Sequence, residues 1–185
     1  GEEMLKEKVT DDYNKVLRVY NYGTKEDAIT LNPKMDRTIK KASIGIQRHS
    51  MTFGGKEYIK WVKDSYLMMG IAHFYKQDYT SARRVFDFVA KEFDNSPLHY
   101  EAIMWLAKTY IQQERFEKAE ASLNLLQSKL NDDGFPKSVD GDLPLVYADF
   151  YIARDDYNSA IPFLERSLEL SNDHYVTTRV DFIIG

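Results

Sequence analysis

The stretch that decides the fold is YLMMGIAHFYKQDYTSARRVFDFV at residues 66–89. In it a small residue, Gly70, lies twelve positions before Ala82, and an aromatic residue, Tyr79, lies three positions before the same alanine. The chain repeats this spacing twice, at Ala107, Phe116 and Ala119 and then at Ala148, Tyr157 and Ala160. Helices that cross closely need small side chains at the crossing, because protein interiors are close-packed. The pattern therefore predicts three helical hairpins, with the aromatic residue filling the wedge at each turn.

These units resemble the tetratricopeptide repeat, a helix–turn–helix of about 34 residues. Three copies in register over residues 62–170 imply an all-α fold, an α-solenoid of about three repeats that presents a binding surface. The reference alanines are 37 and 41 residues apart, so both intervals exceed the nominal length. We expect the surplus in the connections. Pro97 should open the second repeat, and residues 131–142, rich in turn-forming residues, should form an exposed loop.

The N-terminal third, residues 1–61, lacks the repeat signature and is interpreted as an atypical helical pair that caps the array. Apolar side chains at steps of three and four predict an amphipathic helix over residues 3–22, with Gly23 at its end. Asn32 and Pro33 are interpreted as the N-cap and first residue of a second helix that reaches Met51. Its inner face would consist of Met35, Ile39, Ala42, Ile46 and His49.

Residues 171–185 have the pattern of the first helix of a further, truncated repeat, with Gly185 at its small position. Gly1 is interpreted as a cloning remnant. We therefore expect the sequence to be an excised piece of a longer protein in which more repeats follow.

Composition and charge exclude several classes of function. The chain has 185 residues, 43% hydrophobic and 29% charged, which is typical of one globular domain. It contains no cysteine, which excludes disulfides, a thiol nucleophile and a cysteine metal site. The net charge of −4 argues against nucleic acid as a partner. No apolar run approaches the roughly 20 residues of a membrane-spanning helix.

Catalytic, cofactor and metal motifs are weak in this sequence. The four histidines form no closely spaced pair on one helix face; they are His49, His73, His99 and His174. Residues 53–56 contain two glycines and a lysine but lack the spacing of a phosphate-binding loop. The spacing of the acidic residues Asp132, Asp133, Asp140 and Asp142 departs from the calcium-loop pattern. The sequence therefore predicts no enzymatic activity, no cofactor and no metal. It also predicts a core or capping role for His49 and a packing role for His73.

Charge is distributed unevenly along the chain. Residues 34–63 contain eight lysines and arginines against two carboxylates, a local net charge of +6. From Tyr66 onward there are 12 basic and 19 acidic side chains, a net charge of −7. Two differently solvated faces would explain this asymmetry. The alternative is a basic N-terminal surface that meets an acidic partner or a neighbouring domain.

The concave surface of the array is the candidate partner-binding site, because the first helix of each tetratricopeptide hairpin lines it. Counting from the small positions predicts an exposed groove that contains Tyr75, Met104, Lys108, Ile111, Gln112, Leu145 and Asp149. Lys108 and Asp149 would fix the register of the partner, and Tyr75, Met104 and Leu145 would supply apolar contact. This mixture favours an amphipathic helix or an extended segment as the ligand.

A more particular resemblance comes from a set of motifs in the first 107 residues. They are DYNKVL at 12–17, YNYG at 20–23, MDRTIKKA at 35–42, IQRHSM at 46–51, WVKDSYLMMG at 61–70, FYKQDY at 74–79 and EAIMWLA at 101–107. In this order they resemble the PorW/SprE family, the tetratricopeptide lipoproteins of Bacteroidetes that act in type IX secretion and gliding motility. The segment at 46–51 is far more specific than the repeats.

That resemblance implies a non-enzymatic scaffold that contacts protein partners of the cell-envelope secretion machinery. It also implies a location on the periplasmic face of the outer membrane, with a lipid anchor on an N-terminal cysteine outside this sequence. The alternative is an outer-membrane assembly or nutrient-uptake lipoprotein with the same repeats. An enzyme with the repeats as an accessory module is disfavoured, because this sequence lacks cysteine, clustered histidines and a phosphate loop.

Overall fold

The computed structural model describes residues 9, 11, 16–53, 56–57, 59–94, 96–171 and 173–185. These residues form eight α-helices, namely α1 (Lys25–His49), α2 (Lys60–Tyr75), α3 (Tyr79–Glu92), α4 (Pro97–Gln112), α5 (Phe116–Lys129), α6 (Lys137–Ile152), α7 (Tyr157–Leu170) and α8 (His174–Ile184). Between α1 and α2, two-residue strands β1 (Thr52–Phe53) and β2 (Lys56–Glu57) pair antiparallel. Each helix packs mainly on its neighbours in sequence, as in a solenoid. The predicted all-α solenoid is confirmed.

The pairs α2/α3, α4/α5 and α6/α7 are the three predicted hairpins. The alanines of the repeat pattern are buried at 0–1% exposure, namely Ala82, Ala107, Ala119, Ala148 and Ala160. At Gly70, an added Cβ would lie 2.5 Å from Cε1 of Phe86. Only glycine therefore lets α2 and α3 approach this closely, and the repeat register predicted from the sequence is correct.

The turn inside each hairpin places a non-glycine residue in the left-handed region. Gln77, Glu114 and Asp155 have φ angles of 56°, 56° and 59°, and each stands five positions before the reference alanine of its repeat. This conformation costs an L-residue roughly 1–2 kcal/mol. Since three different side chains adopt it at one position, the packing of the two helices imposes the turn.

The aromatic residue after each turn begins the second helix of its hairpin, but only two of the three fill the predicted wedge. Tyr79 and Phe116 pack against the core, and burial raises the pKa of Tyr79 to about 12. Tyr157 is 42% exposed, and its hydroxyl donates to Oδ1 of Asp155 at 2.8 Å. The predicted third wedge is therefore wrong, because this ring stays at the surface beside the turn.

The connections between hairpins are partly as predicted. Pro97 is the first residue of α4, and the hydroxyl of Ser96 accepts from the N–H of Leu98 at 3.4 Å. The loop predicted at residues 131–142 is wrong in its second half, because α6 begins at Lys137 and Val139 in its first turn is fully buried. Because Val139 packs in the core, the helix begins within the sequence that is rich in turn-forming residues.

Residues 16–22 are not helical, so this part of the amphipathic helix predicted over 3–22 is wrong. Leu17 and Val19 are each 7% exposed, whereas Val16 is 52% exposed. Burial that alternates from one residue to the next is typical of an extended chain, whose side chains point to opposite sides in turn. Of the remaining residues in that prediction, only Val9 and Asp11 lie within the described part of the chain.

The helix α1 begins at Lys25, eight residues earlier than the start predicted at Pro33. Thr24 and Asp27 form a capping box, in which each side chain accepts a hydrogen bond from the backbone N–H of the other. Pro33 lies inside the helix. Met35 and Ala42 are buried as predicted, but His49 is exposed at the end of α1, where its ring lies 5.1 Å from the ring of Trp61.

Candidate functional site

The residues predicted to line an exposed groove do not face solvent. Six of them are only 1–7% exposed, namely Tyr75, Met104, Lys108, Ile111, Leu145 and Asp149, and Gln112 is half-buried. Their predicted exposure is wrong, because residues 16–22 of the same chain, here called the N-terminal segment, cover several of them. That these residues bind a partner stays a prediction.

Asp149 on α6 is the deepest charged group beneath the N-terminal segment, at 1% exposure. Its carboxylate accepts two hydrogen bonds from Arg18, with Nε–Oδ1 3.1 Å and Nη2–Oδ2 3.0 Å. Burial acts to lower the pKa of Arg18, but the charge and hydrogen bonds of Asp149 outweigh it, so the pKa lies above its ordinary value. A two-pronged pair of this kind adds geometric specificity. Without Arg18, α6 would retain a buried, unpaired carboxylate, which is strongly destabilising.

Lys108 on α4 holds the next part of the segment. Its Nζ lies 4.3 Å from the centroid of the Tyr20 ring and 4.8 Å from that of the Trp105 ring. Both distances are within the roughly 6 Å range of cation–π attraction, which strengthens when the cation is desolvated. At 6% exposure, this ammonium joins an aromatic ring of the segment to one of the groove wall.

Tyr22 occupies an aromatic site on α2. Its ring centroid is 4.8 Å from that of Phe74, edge to face, and 6.2 Å from that of Tyr75. Next to it, Nε2 of Gln77 donates to the carbonyl oxygens of residues 22–24 at 3.1–3.3 Å. The hairpin turn of the first repeat therefore binds the backbone where the segment leaves the groove.

The contacts follow a simple rule. Arg18 binds the third repeat, Tyr20 the second and Tyr22 the first, so alternate residues of the segment each engage one repeat. Successive side chains of an extended chain point to opposite sides, which gives the step of two, and the segment bends at Val19 and Tyr20. The segment runs through the groove in the direction opposite to the order of the repeats.

The helix α8 holds the segment from the other side. Arg179 donates from Nε and Nη2 to the carbonyl oxygen of Arg18 at 3.0 and 2.8 Å, and from Nε to that of Val19 at 3.0 Å. Its Nη1 and Nη2 also bind the carboxylate of Asp11, at 2.6 and 3.0 Å. The hydrogen bond from Arg179 is the largest effect on Asp11, and it keeps the pKa of this carboxyl below its ordinary value.

Apolar contacts connect the predicted groove residues to the segment and to the core. Leu145 is buried in one cluster with Val19 of the segment, and Tyr75, Lys108 and Asp149 face the segment as described above. Met104 and Ile111 belong to the main core cluster, which also contains Tyr75 and against which Tyr20 and Tyr22 of the segment pack. Four of the seven predicted residues, Tyr75, Lys108, Leu145 and Asp149, therefore line the groove beneath the segment.

The segment itself was missed, although the sequence carries a signal for it. Arg18, Tyr20 and Tyr22 stand at steps of two, the period of an extended chain. The same residues also fit helical spacing with their neighbours, so the sequence pattern alone was ambiguous. The distant anchor, Arg179, gives no local signal.

A second surface, here called the basic stripe, runs along the outside of α1. It consists of Lys34, Arg37, Lys41 and Arg48, with Ile44 among them, and all five side chains are exposed. Their spacing of three, four, three and four residues places them on one helix face. Within the described residues none of the four cations forms an ion pair, whereas Asp36 on another face of α1 pairs with Lys76.

In the described part of the chain, no group of three or more histidine and carboxylate side chains is placed to hold a metal ion. His73, predicted to have a packing role, lies with Nδ1 3.3 Å from Oδ2 of Asp78, which caps α3. No helix among the described residues combines the length and apolar character that a membrane crossing requires.

The fold and the groove together define a class, that of helical-repeat solenoids whose concave face holds an extended segment of chain. Two protein-family models, both described as tetratricopeptide repeats, match the chain at residues 67–134 and at residues 145–174. The chain therefore contains tetratricopeptide repeats and has the all-α solenoid fold of that class. Such repeats suggest a protein–protein interaction scaffold rather than a catalyst. No curated protein matches the chain.

Proposed function

We propose that the chain is a non-catalytic scaffold of the cell envelope that supports type IX protein secretion and gliding motility. In this proposal it is part of a PorW/SprE-type lipoprotein at the periplasmic face of the outer membrane. The support is the resemblance carried by the motifs at 46–51 and 61–70. These motifs meet in space, because α1 packs against α2 and His49 contacts Trp61.

The basic stripe is the surface that we assign to a protein partner. The observation that carries this assignment is the row of four exposed cations on α1, none ion-paired within the described residues, while the groove is filled by the N-terminal segment. A surface of one sign accelerates and orients association with a surface of the opposite sign. The partner is accordingly a protein with an acidic face, and Ile44 adds an apolar contact at the centre of the stripe.

The test is charge reversal on the stripe in the native host. Lys34→Glu, Arg37→Glu and Lys41→Glu together should reduce type IX secretion and gliding to the level of a strain without the protein. The matched control is Arg84→Glu, Lys91→Glu and Lys137→Glu, which reverses three exposed cations elsewhere. This control should retain both activities at equal protein level. Normal secretion and gliding in the deletion strain would refute the role in secretion. A defect in the deletion strain but not in the stripe variant would refute the stripe as the partner-binding surface.

A further inference from the structure

The concave groove has the composition of a ligand site rather than of an ordinary core. Its floor contains a buried carboxylate, Asp149, and a buried ammonium, Lys108. Each contacts a different residue of the N-terminal segment, Arg18 for the carboxylate and Tyr20 for the ammonium. Buried charges contribute little to stability compared with apolar side chains of the same size, whereas they define which partner is accepted. Two such groups in the floor indicate selection of a particular chain segment.

We propose that the groove is a peptide-recognition site, and that its ligand is an extended segment with an arginine followed at two-residue steps by two tyrosines. The segment of residues 16–22 is then an internal copy of that ligand, which a partner segment of the same pattern replaces. This inference rests on the proposed scaffold function and names a second, covered binding surface. The evidence is the occupant itself, which shows what each subsite accepts.

Each subsite has a defined chemistry. The third repeat accepts a guanidinium on Asp149, the second accepts an aromatic ring over Lys108, and the first accepts a ring against Phe74. Gln77 and Arg179 bind only backbone carbonyl oxygens of the segment. Among the intervening side chains, Val19 is buried in a cluster with Leu145. A ligand is therefore recognised by its arginine, its two tyrosines and the apolar residue that follows the arginine.

The segment is joined to the fold in a way that allows its exchange. It has no helical hydrogen bonds, and no strand pairs with it among the described residues. It ends at Gly23, which has a φ of 68°. The next residue, Thr24, caps α1 through its reciprocal bonds with Asp27. Departure of the segment therefore leaves α1 with its cap and with its packing on α2.

The first experiment uses the full chain with the three specificity residues of the segment removed, Arg18→Ala, Tyr20→Ala and Tyr22→Ala. A fluorescent peptide of residues 15–24, KVLRVYNYGT, is titrated by anisotropy. The variant should bind this peptide saturably, and at least tenfold more tightly than the wild-type chain does. A peptide with the same three alanines should not bind. A folded variant that fails to bind the natural peptide would overturn the proposal.

The second experiment keeps the segment intact and serves if the triple variant does not fold. Because the chain has no cysteine, Val19→Cys introduces a single thiol at a site that is 7% exposed. An exchanging segment should expose this thiol at least tenfold faster than a control, Val89→Cys, whose site is fully buried on α3 in the main core cluster. Equal rates would show that the segment opens only with the whole fold, and would overturn the proposal. Both readouts use purified protein, so they are independent of the cellular test of the scaffold role.

Discussion

Gly70→Ala offers the sharpest test of the helix crossing that defines the repeat. The new Cβ would lie 2.5, 2.8 and 3.1 Å from Cε1, Cδ1 and Cζ of Phe86, whereas carbon atoms in contact prefer about 3.5–4.0 Å. The Phe86 ring cannot move away easily, because it is fully buried and stacks on Trp105 at 5.9 Å. Overpacking of this kind costs about 1–3 kcal/mol.

The intrinsic helix preference of alanine over glycine offsets at most about 1 kcal/mol of that cost. We therefore expect Gly70→Ala to lower the free energy of unfolding by about 1–2 kcal/mol. In a chain of this size that corresponds to a fall in Tm of roughly 2–8 °C. The assay is thermal and denaturant unfolding followed by far-UV circular dichroism.

Gly141→Ala is the matched control, because Gly141 also lies inside a helix, α6, but an added Cβ there meets no atom within 4 Å. It should raise the free energy of unfolding by about 0.5–1 kcal/mol. The two substitutions are chemically identical and are expected to have opposite signs. If Gly70→Ala were as stable as the wild type, the close approach of α2 and α3 would be refuted.

Three further predictions concern the hairpin turn, the helix crossing and acid stability. Glu114→Gly should stabilise the chain by about 0.5–1 kcal/mol in urea unfolding, because Glu114 is exposed and its φ is 56°. The control, Glu117→Gly inside α5, should destabilise the chain. Ala119→Leu, at a fully buried position, should cost about 1–3 kcal/mol, and unchanged thermal unfolding would mean that the repeat register is wrong. Arg179 lowers the pKa of Asp11 in the folded protein. The ionised carboxylate therefore stabilises the fold fully above the ordinary pKa of about 3.9. This stabilisation is lost as the pH falls through the lower pKa of the folded state. Urea unfolding between pH 6 and pH 3 should therefore show a smaller loss of stability in Asp11→Asn, and equal losses would contradict the pairing.

The repeats could be predicted from the sequence because their determinants are local and periodic. A close helix crossing permits few residue types, so Gly70 and Ala119 identify the register without any other information. The start of α1 was also encoded locally, in the Thr24 and Asp27 capping box, but Pro33 gave a competing signal. Proline inside a helix is disfavoured, because it removes a backbone hydrogen bond and its ring clashes with the preceding turn, yet α1 continues through Pro33.

The occupied groove could not be predicted in the same way, because it depends on contacts between distant parts of the chain. Arg18 and Asp149 are 131 positions apart, and Arg179 is 161 positions from Arg18. A polar position on a predicted concave face looks exposed until the segment that covers it is known. Hence the sequence located Lys108 and Asp149 on the correct surface but gave the wrong exposure.

The short link between the N-terminal segment and α1 has a thermodynamic consequence for any competing ligand. Gly23 and Thr24 alone separate Tyr22 from the first residue of α1, and α1 stays packed on α2. A binding element held by so short a tether has an effective concentration in the millimolar range. A free peptide with identical contacts would therefore need a millimolar concentration to displace half of the segment. A partner that makes the same contacts and acts at lower concentration must bind a second surface at the same time. For such a partner, simultaneous attachment at two places becomes the condition for opening this groove.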